Sequence, residues 1–238
     1  MESTATAWIE KDILACYDFL THEKQTEIRL INPNKTTDSV RSIFASSKEL
    51  FLEFCKVNNG KINIYSGINE RSDAGTKKEN VESVKTIVTD IDAIKPKGLP
   101  ATDEELKKAE IVADKIIAWF KEMGFIQPSK CMSGNGYQLW CAIPKIGIDN
   151  INRDVVENQI KAFYKLLIET FSGQGAQIDN IGDLPRIIKV IGTKSIKGEK
   201  SKTRPHRLSC SCNGFKRIED QKLKDFILGL DIEQFTKK

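Results

Sequence analysis

At 238 residues, with 39% hydrophobic and 29% charged side chains, the chain has the composition of a globular protein able to bury a substantial core, which excludes disordered and fibrous classes. No apolar run is long enough to cross a bilayer, and the first residues lack the basic and apolar segments of a secretion signal, so the cytoplasm is expected, with no membrane partner. The net charge of +4 is modest but uneven: between Pro185 and Arg217 ten Lys and Arg side chains stand against one acid, Glu199, the imbalance a phosphate-binding surface needs.

The first elements read as a helix over Ala7–Leu20, a strand over Thr26–Ile31 and a long helix from about Ser39 to Val57. A strand follows at Lys61–Ile68, where Ile62, Ile64, Ser66 and Ile68 alternate with Asn63, Tyr65 and Gly67. The next stretch, NERSDAGTKKEN, is polar and basic without a period, which predicts a loop. It leads into KTIVTDIDAI, a strand near Lys85–Ile94 of apolar and β-branched residues with two acids toward its end. Thr102 and Glu105 form a capping box ahead of a helix whose Leu106, Ala109, Ala113, Ile116, Ile117, Phe120 and Met123 recur at helical spacing, with Gly124 placed to end it. Two short strands, about Ser129–Met132 and Tyr137–Ile143, are joined by SGNG, in which Asn135-Gly136 is a favoured hairpin turn. A second amphipathic helix is expected over Asn152–Phe171, a last strand at Arg186–Ile191 and a further helix at about Asp220–Leu230.

Strand, helix, strand, strand, helix, strand is the order of a ferredoxin-like or RRM-like split unit. The expected fold class is therefore mixed α/β (α+β). An N-terminal α/β module would span 1–84, an RRM-like βαββαβ module 85–215, and a C-terminal helix would lie within 216–238, all in one domain.

Successive side chains of a strand point to opposite faces, so Asp90 and Asp92 share one face. Two anions side by side repel, and a cation between them is the natural compensation. In a split unit the Tyr137–Ile143 strand can lie beside them, with Gln138, Trp140 and Ala142 on a common face. Trp140 is read as core rather than as a platform for a base. Asp179 precedes the last strand and can join the same site. Three carboxylates on one sheet face are the usual equipment for two divalent ions that clamp a phosphoryl transfer. Six irregularly spaced cysteines give no disulfide framework. His206 with Cys210 and Cys212 is an incomplete ligand set, so zinc is not expected. The chain has no P-loop, and its two histidines, His22 and His206, lie too far apart in sequence for a two-histidine rolling-circle initiator.

VTDID, then SGNGYQLW, then IDNIGDLPRIIKVIGTKSIKG resemble, in order, the three motifs of the archaeo-eukaryotic primase superfamily, and more closely its plasmid- and virus-type primase-polymerases. The resemblance runs from about Lys61 to Arg207. It includes GINER, similar through Arg71 to the family's Asn-x-Arg element, and RPHRL beyond the third motif. It implies a primase-polymerase catalytic domain in which Asp90, Asp92 and Asp179 are catalytic and hold two Mg2+ or Mn2+ ions. It also implies that Ser133, Gly134, Gly136, Gln138, Arg186 and Lys197 position the phosphates of the incoming nucleotide. Lys189, Lys194, Lys200, Arg204 and Arg207, with Arg71, Lys77 and Lys78 in the earlier loop, are then expected to track single-stranded DNA template and primer. The expected partners are single-stranded DNA, (d)NTPs and a separately encoded helicase, acting with a monomer. The sequence departs from the family at Gln138, where many members have histidine, at Lys189 in place of arginine, and at Ile191 and Ser195 in place of proline and asparagine. A glutamine donates a hydrogen bond but carries no charge. Two other readings stand beside this one: a non-catalytic module that binds single-stranded nucleic acid, and a metal-dependent glycosyltransferase of the D-x-D type.

Overall fold

The computed structural model describes residues 8–33, 39–72, 75–173 and 175–232. The first helix, α1 (Glu10–Leu20), buries Ile13, Cys16, Phe19 and Leu20 along one stripe; the expected start at Ala7 lies outside the described residues. β1 (Thr26–Ile31) follows where it was expected. The long helix expected from Ser39 is instead β2 (Val40–Ala45) and then α2 (Lys48–Asn58). β1 offers two hydrogen-bonding edges; β2 satisfies one, from Thr26↔Ala45 to Ile31↔Val40, so tertiary pairing overrides the helical reading of SVRSIFA. The Ser47 hydroxyl accepts from the Leu50 N–H and starts α2 behind the strand. β3 (Asn63–Gly67) satisfies the other edge of β1, and the short β4 (Glu70–Arg71) turns away to the second sheet.

The second half contains β5 (Val81–Ala93), α3 (Asp103–Glu122), β6 (Ser129–Met132), β7 (Gly136–Gly147), α4 (Arg153–Phe171) and β8 (Ala176–Ile178). The capping box forms as the sequence predicts, with the Thr102 N–H on Glu105 Oε2 at 2.8 Å and the Glu105 N–H on Thr102 Oγ1 at 3.2 Å. β5 runs antiparallel to both β7 and β8, and β7 antiparallel to β6, which gives the ferredoxin-like order β8-β5-β7-β6. The closing strand of this unit is thus β8 and not the RIIKVI segment. The latter forms β9 (Ile187–Lys189), and it pairs with β3 to complete a first sheet of order β2-β1-β3-β9. AQI is too short to show a period, whereas its pairing Ile91↔Ile178 fills the edge of β5 that α4 leads to. β10 (Cys210–Ser211) extends the second sheet beside β6, and α5 (Gln221–Leu228) packs on α4 and β7.

β4 covers the beginning of one edge of β5 and β8 covers its end. Between them the Val88 carbonyl accepts from the Tyr164 hydroxyl of α4 at 2.7 Å, so a buried backbone acceptor is satisfied where no strand lies. α3 packs its Ala109, Val112, Ala113, Ile116 and Phe120 stripe against β5 and β7. The opposite face of that sheet is left to meet the first sheet.

The two sheets are tied by a buried ion pair. Glu27 of β1 receives Arg71 Nη2 of β4 at 2.9 Å, with side-chain exposures of 0% and 2%. Glu27 Oε1 also accepts from the Ser42 hydroxyl, and Arg71 Nη2 donates to the Pro185 carbonyl at 2.8 Å. Arg71 is therefore a correction: its guanidinium lies inside the protein, away from any strand of DNA passing over the surface, because Glu27 and the carbonyl before β9 claim it. Arg29 also donates to Glu27 Oε1, through its Nε at 2.7 Å, so loss of Arg71 would leave only the buried Glu27 Oε2 and the Pro185 carbonyl without their donor. Arg71→Ala is expected to lower the free energy of unfolding by about 1–3 kcal/mol, the cost of buried acceptors left without a donor, read by urea denaturation; a loss below about 1 kcal/mol would place the pair among weak surface contacts.

Candidate active site

Asp90 and Asp92 lie on one face of β5, and Asp90 sits opposite Gln138 and Asp92 opposite Gly136 in the ladder with β7. The close approach at Gly136 admits no side chain, since a Cβ there would lie 2.2 Å from the Ile91 carbonyl oxygen. Asp179 follows β8 directly, and its N–H donates to the Asp90 carbonyl at 3.1 Å, which brings the third acid beside the first. All three line a cavity of about 270 Å3 between the two sheets. Ser133 and Gln138 join them from the second sheet, Tyr65 and Lys189 come from the first, and Arg186 and Lys197 from the segments flanking β9.

Burial, then Asp92 and Asp179, push the Asp90 carboxyl well above the usual carboxylate range, while a hydrogen bond from Gln138 and the charge of Lys197 oppose the rise. Asp92 is also raised, by burial first and by Asp179, against Lys197 and Lys95. The same field reaches Tyr65 across the cavity, where burial followed by Asp90 and Asp92 pushes the phenol up to about 12. Asp90 Oδ1 is buried and has no hydrogen-bond partner. An unpartnered carboxyl oxygen beside two further acids is the chemistry of a hard-cation site, and no thiol or imidazole lines the cavity to favour a softer metal. Among the described residues no three acid, Cys or His side chains already stand in metal-cluster geometry.

No protein-family model and no curated protein matches the sequence. Solved structures match in three dimensions. The AEP domain of the cyanophage S-2L primase-polymerase (PrimPol) superposes with a TM-score of 0.55 at 14% identity, over 90% of this chain and 95% of that one. The primase RepB' superposes with a TM-score of 0.58 at 13% identity, over 95% of this chain and 64% of that one. Its catalytic domain in complex with initiator DNA gives 0.53 at 14%, over 94% and 97%. The chain shares the fold of these primase and primase-polymerase domains. Within this primase-polymerase fold, the order of acid, turn and basic motifs noted in the sequence falls on one cavity.

The sequence-predicted residues divide. Asp90, Asp92, Asp179, Ser133, Gln138, Arg186, Lys189 and Lys197 all line that cavity. The turn's backbone is occupied, since the Ser133 N–H donates to the Gly136 carbonyl and the Gly134 N–H to Met132 Sδ, so its contribution to the cavity is the side chains of Ser133 and Asn135. Gly134 adopts φ +108° and abuts Ser195, where a Cβ would come within 2.5 Å of the Ser195 Cβ. Arg186 leans on Asp183 through its Nε at 2.8 Å. Lys189 lines the cavity wall, but its ammonium is spent inward on Thr193 Oγ1 at 2.6 Å and the Lys194 carbonyl at 3.2 Å. It is a second correction, an interior lysine rather than a hand for DNA. Arg204 clamps Glu105 through two bonds of 2.8 Å, and Arg207 holds Asp103 and the Ala101 carbonyl, so both pin the segment after β9 to the start of α3. Lys78 pairs with Asp154 and Glu157. Lys77 and Lys200 are exposed and Lys194 is half-buried.

Sequence reasoning left out Asn135, Ser195 and Lys95. Asn135 Nδ2 donates to Ser195 Oγ at 3.1 Å and its Oδ1 accepts from the Ala101 N–H at 2.8 Å, joining the hairpin to two distant segments. Only its turn propensity was visible in sequence. Lys95 follows the acids by three residues, and burial, then the neighbouring Lys197, lower its pKa; its position just past the D-x-D was the available signal.

Because ionising Asp90 is resisted in the folded state, Asp90→Asn is expected to stabilise the metal-free protein while removing a site carboxylate. Melting should rise by at least about 2–4 °C, the shift produced by 1 kcal/mol in a chain of this size; a fall in melting temperature would show that the carboxylates are not in conflict. Lys189 gives a pH signature. Burial lowers its pKa from 10.5 to about 7. Between these values the unfolded chain binds the proton that the folded chain has lost, so stability rises with pH through that window, and the penalty is complete below it. Lys189→Met should flatten the rise when unfolding free energy is measured from pH 6 to pH 9.

Proposed function

We propose that this chain is a metal-dependent nucleotidyltransferase, a primase-polymerase that makes and extends primers on single-stranded DNA from nucleoside triphosphates. The observation that carries the reading is the convergence of Asp90, Asp92 and Asp179 on one cavity where Asp90 Oδ1 is buried and has no hydrogen-bond partner, with Arg186 and Lys197 also lining it. The fold shared with primase-polymerase domains supports it.

Asp90, Asp92 and Asp179 would hold two Mg2+ or Mn2+ ions. Bound there, divalent ions lower the pKa of the attacking 3′-hydroxyl and offset the charge that develops on the transferring phosphate. The protein's own part is placement. Lys197 and Arg186 supply positive charge to a triphosphate, and the Ser133 hydroxyl offers it a donor. Tyr65 and Ile31 form the first-sheet wall that limits water. Lys77, Lys200 and Lys202 are among the exposed cations available to a single strand.

The test is incorporation of labelled dNTPs and NTPs on single-stranded DNA, with and without a primer, in Mg2+ and in Mn2+. Products are expected only with metal, and the double variant Asp90→Ala/Asp92→Ala should lower the rate by at least about 10²–10³, the scale of losing a main electrostatic contributor. Products that survive in the double variant would refute the assignment. Strand binding without incorporation in either metal would mean that the chain is a nucleic-acid-binding module.

A further inference from the structure

The residue beside Asp90 has a task other than the one its sequence position suggests. Gln138 faces Asp90 across the β5–β7 ladder and is 1% exposed. An amide has one accepting end and one donating end, and its orientation decides which neighbour meets which. The Trp140 indole N–H donates to Gln138 Oε1 at 3.2 Å, which uses the accepting end. The donating end is left facing Asp90, its partner in the ladder, and the amide there opposes the rise of the Asp90 carboxyl. Turned over, the amide would set its NH2 against the indole N–H and its carbonyl against the carboxylate, two mismatches in a buried place. Trp140 is itself fixed, 1% exposed and edge-on to Phe19 of α1 at 5.6 Å and to Phe215 at 5.3 Å.

We propose that Gln138 is a positioning residue that holds the Asp90 carboxylate with Oδ1 bare for a divalent cation, and that Trp140 acts through Gln138 by fixing its amide. The chain of contacts runs from the aromatic core through an indole N–H and a neutral amide to a single carboxylate, and Gln138 is thereby spent on Asp90 rather than on a phosphate. A neutral donor suits the place: it braces the carboxylate without competing as a cation for the position an ion would take. This inference rests on reading Asp90 as a metal ligand, and the experiment separates the two.

Mn2+ affinity of the full chain, without nucleotide or DNA, is measured from the electron paramagnetic resonance signal of free Mn2+, with a urea midpoint for every variant. Gln138→Leu is expected to weaken Mn2+ binding about tenfold, the lower end of what outer-shell partners contribute. Trp140→Phe should weaken it about threefold, and should have no further effect in the Gln138→Leu background, since coupled residues are not additive. A purely packing role for Trp140 would weaken binding equally in both backgrounds and would overturn its part in the proposal. Should Gln138→Leu fail to fold, Gln138→Met removes the donor at constant length. If Asp90→Asn weakens Mn2+ binding while both Gln138 variants stay within about twofold of the parent, a change too small for an outer-shell partner, the positioning role is refuted and the site stands. If Asp90→Asn leaves affinity unchanged, the metal reading fails and this inference fails with it.

Discussion

Asp90 lies opposite Gln138 and Asp92 opposite Gly136 in the antiparallel ladder of β5 and β7, and this register is what allows two carboxylates to stand on a strand that is otherwise largely buried. A slip of one residue would turn them into the face that α3 covers and expose Ile87 and Ile91 in their place. Gly136 keeps the strands close at Asp92, and Tyr164 satisfies the Val88 carbonyl on the other edge of β5, between the parts that β4 and β8 cover. The acids are thus held by backbone pairing strong enough to tolerate their mutual repulsion. That repulsion, sharpened by burial, is the property that makes the cavity receptive to cations.

The two sheets divide the work. The ferredoxin-like sheet supplies the anions, and the first sheet supplies an aromatic wall and leads the chain into the basic segment. β9 is the crossing point, because after β8 closes the ferredoxin-like unit the chain returns to β3 and then brings Lys197 to the cavity. Three asparagines hold that return in place. Asn59 and Asn63 accept from the Lys194 and Ile196 N–H groups, and Asn135 donates to Ser195. Arg204 and Arg207 then fasten its far end to α3. The basic tract is therefore divided between cations that shape the site and cations left free at its edge.

Gln138 illustrates how a family resemblance and a geometry can differ. The motif position suggests a phosphate contact, while burial and the Trp140 bond direct the amide to Asp90. The reading of the chain as a primase-polymerase does not depend on Gln138 reaching a phosphate, because Lys197, Arg186 and the Ser133 hydroxyl already border the cavity.

The sequence by itself determined the features carried by local pattern. The period of two in KTIVTDIDAI placed both acids on one face, the T-x-x-E box opened α3, and Asn-Gly marked the β6–β7 turn; each depends on neighbours a few residues away. Trp140 as core and Asp179 beside Asp90 were also legible, from the face shared on a strand and from motif order. Tertiary structure alone decided whether SVRSIFA would be helix or strand, because the open edge of β1 lay in wait for it. It alone chose between AQI and RIIKVI as the fourth strand, since edge pairing and not periodicity selects a three-residue strand. It alone sent Arg71 and Lys189 inward, where Glu27 and Thr193 claim charges that in sequence look no different from those of a surface cation. Long-range partners are what those decisions share, and a linear pattern does not record them.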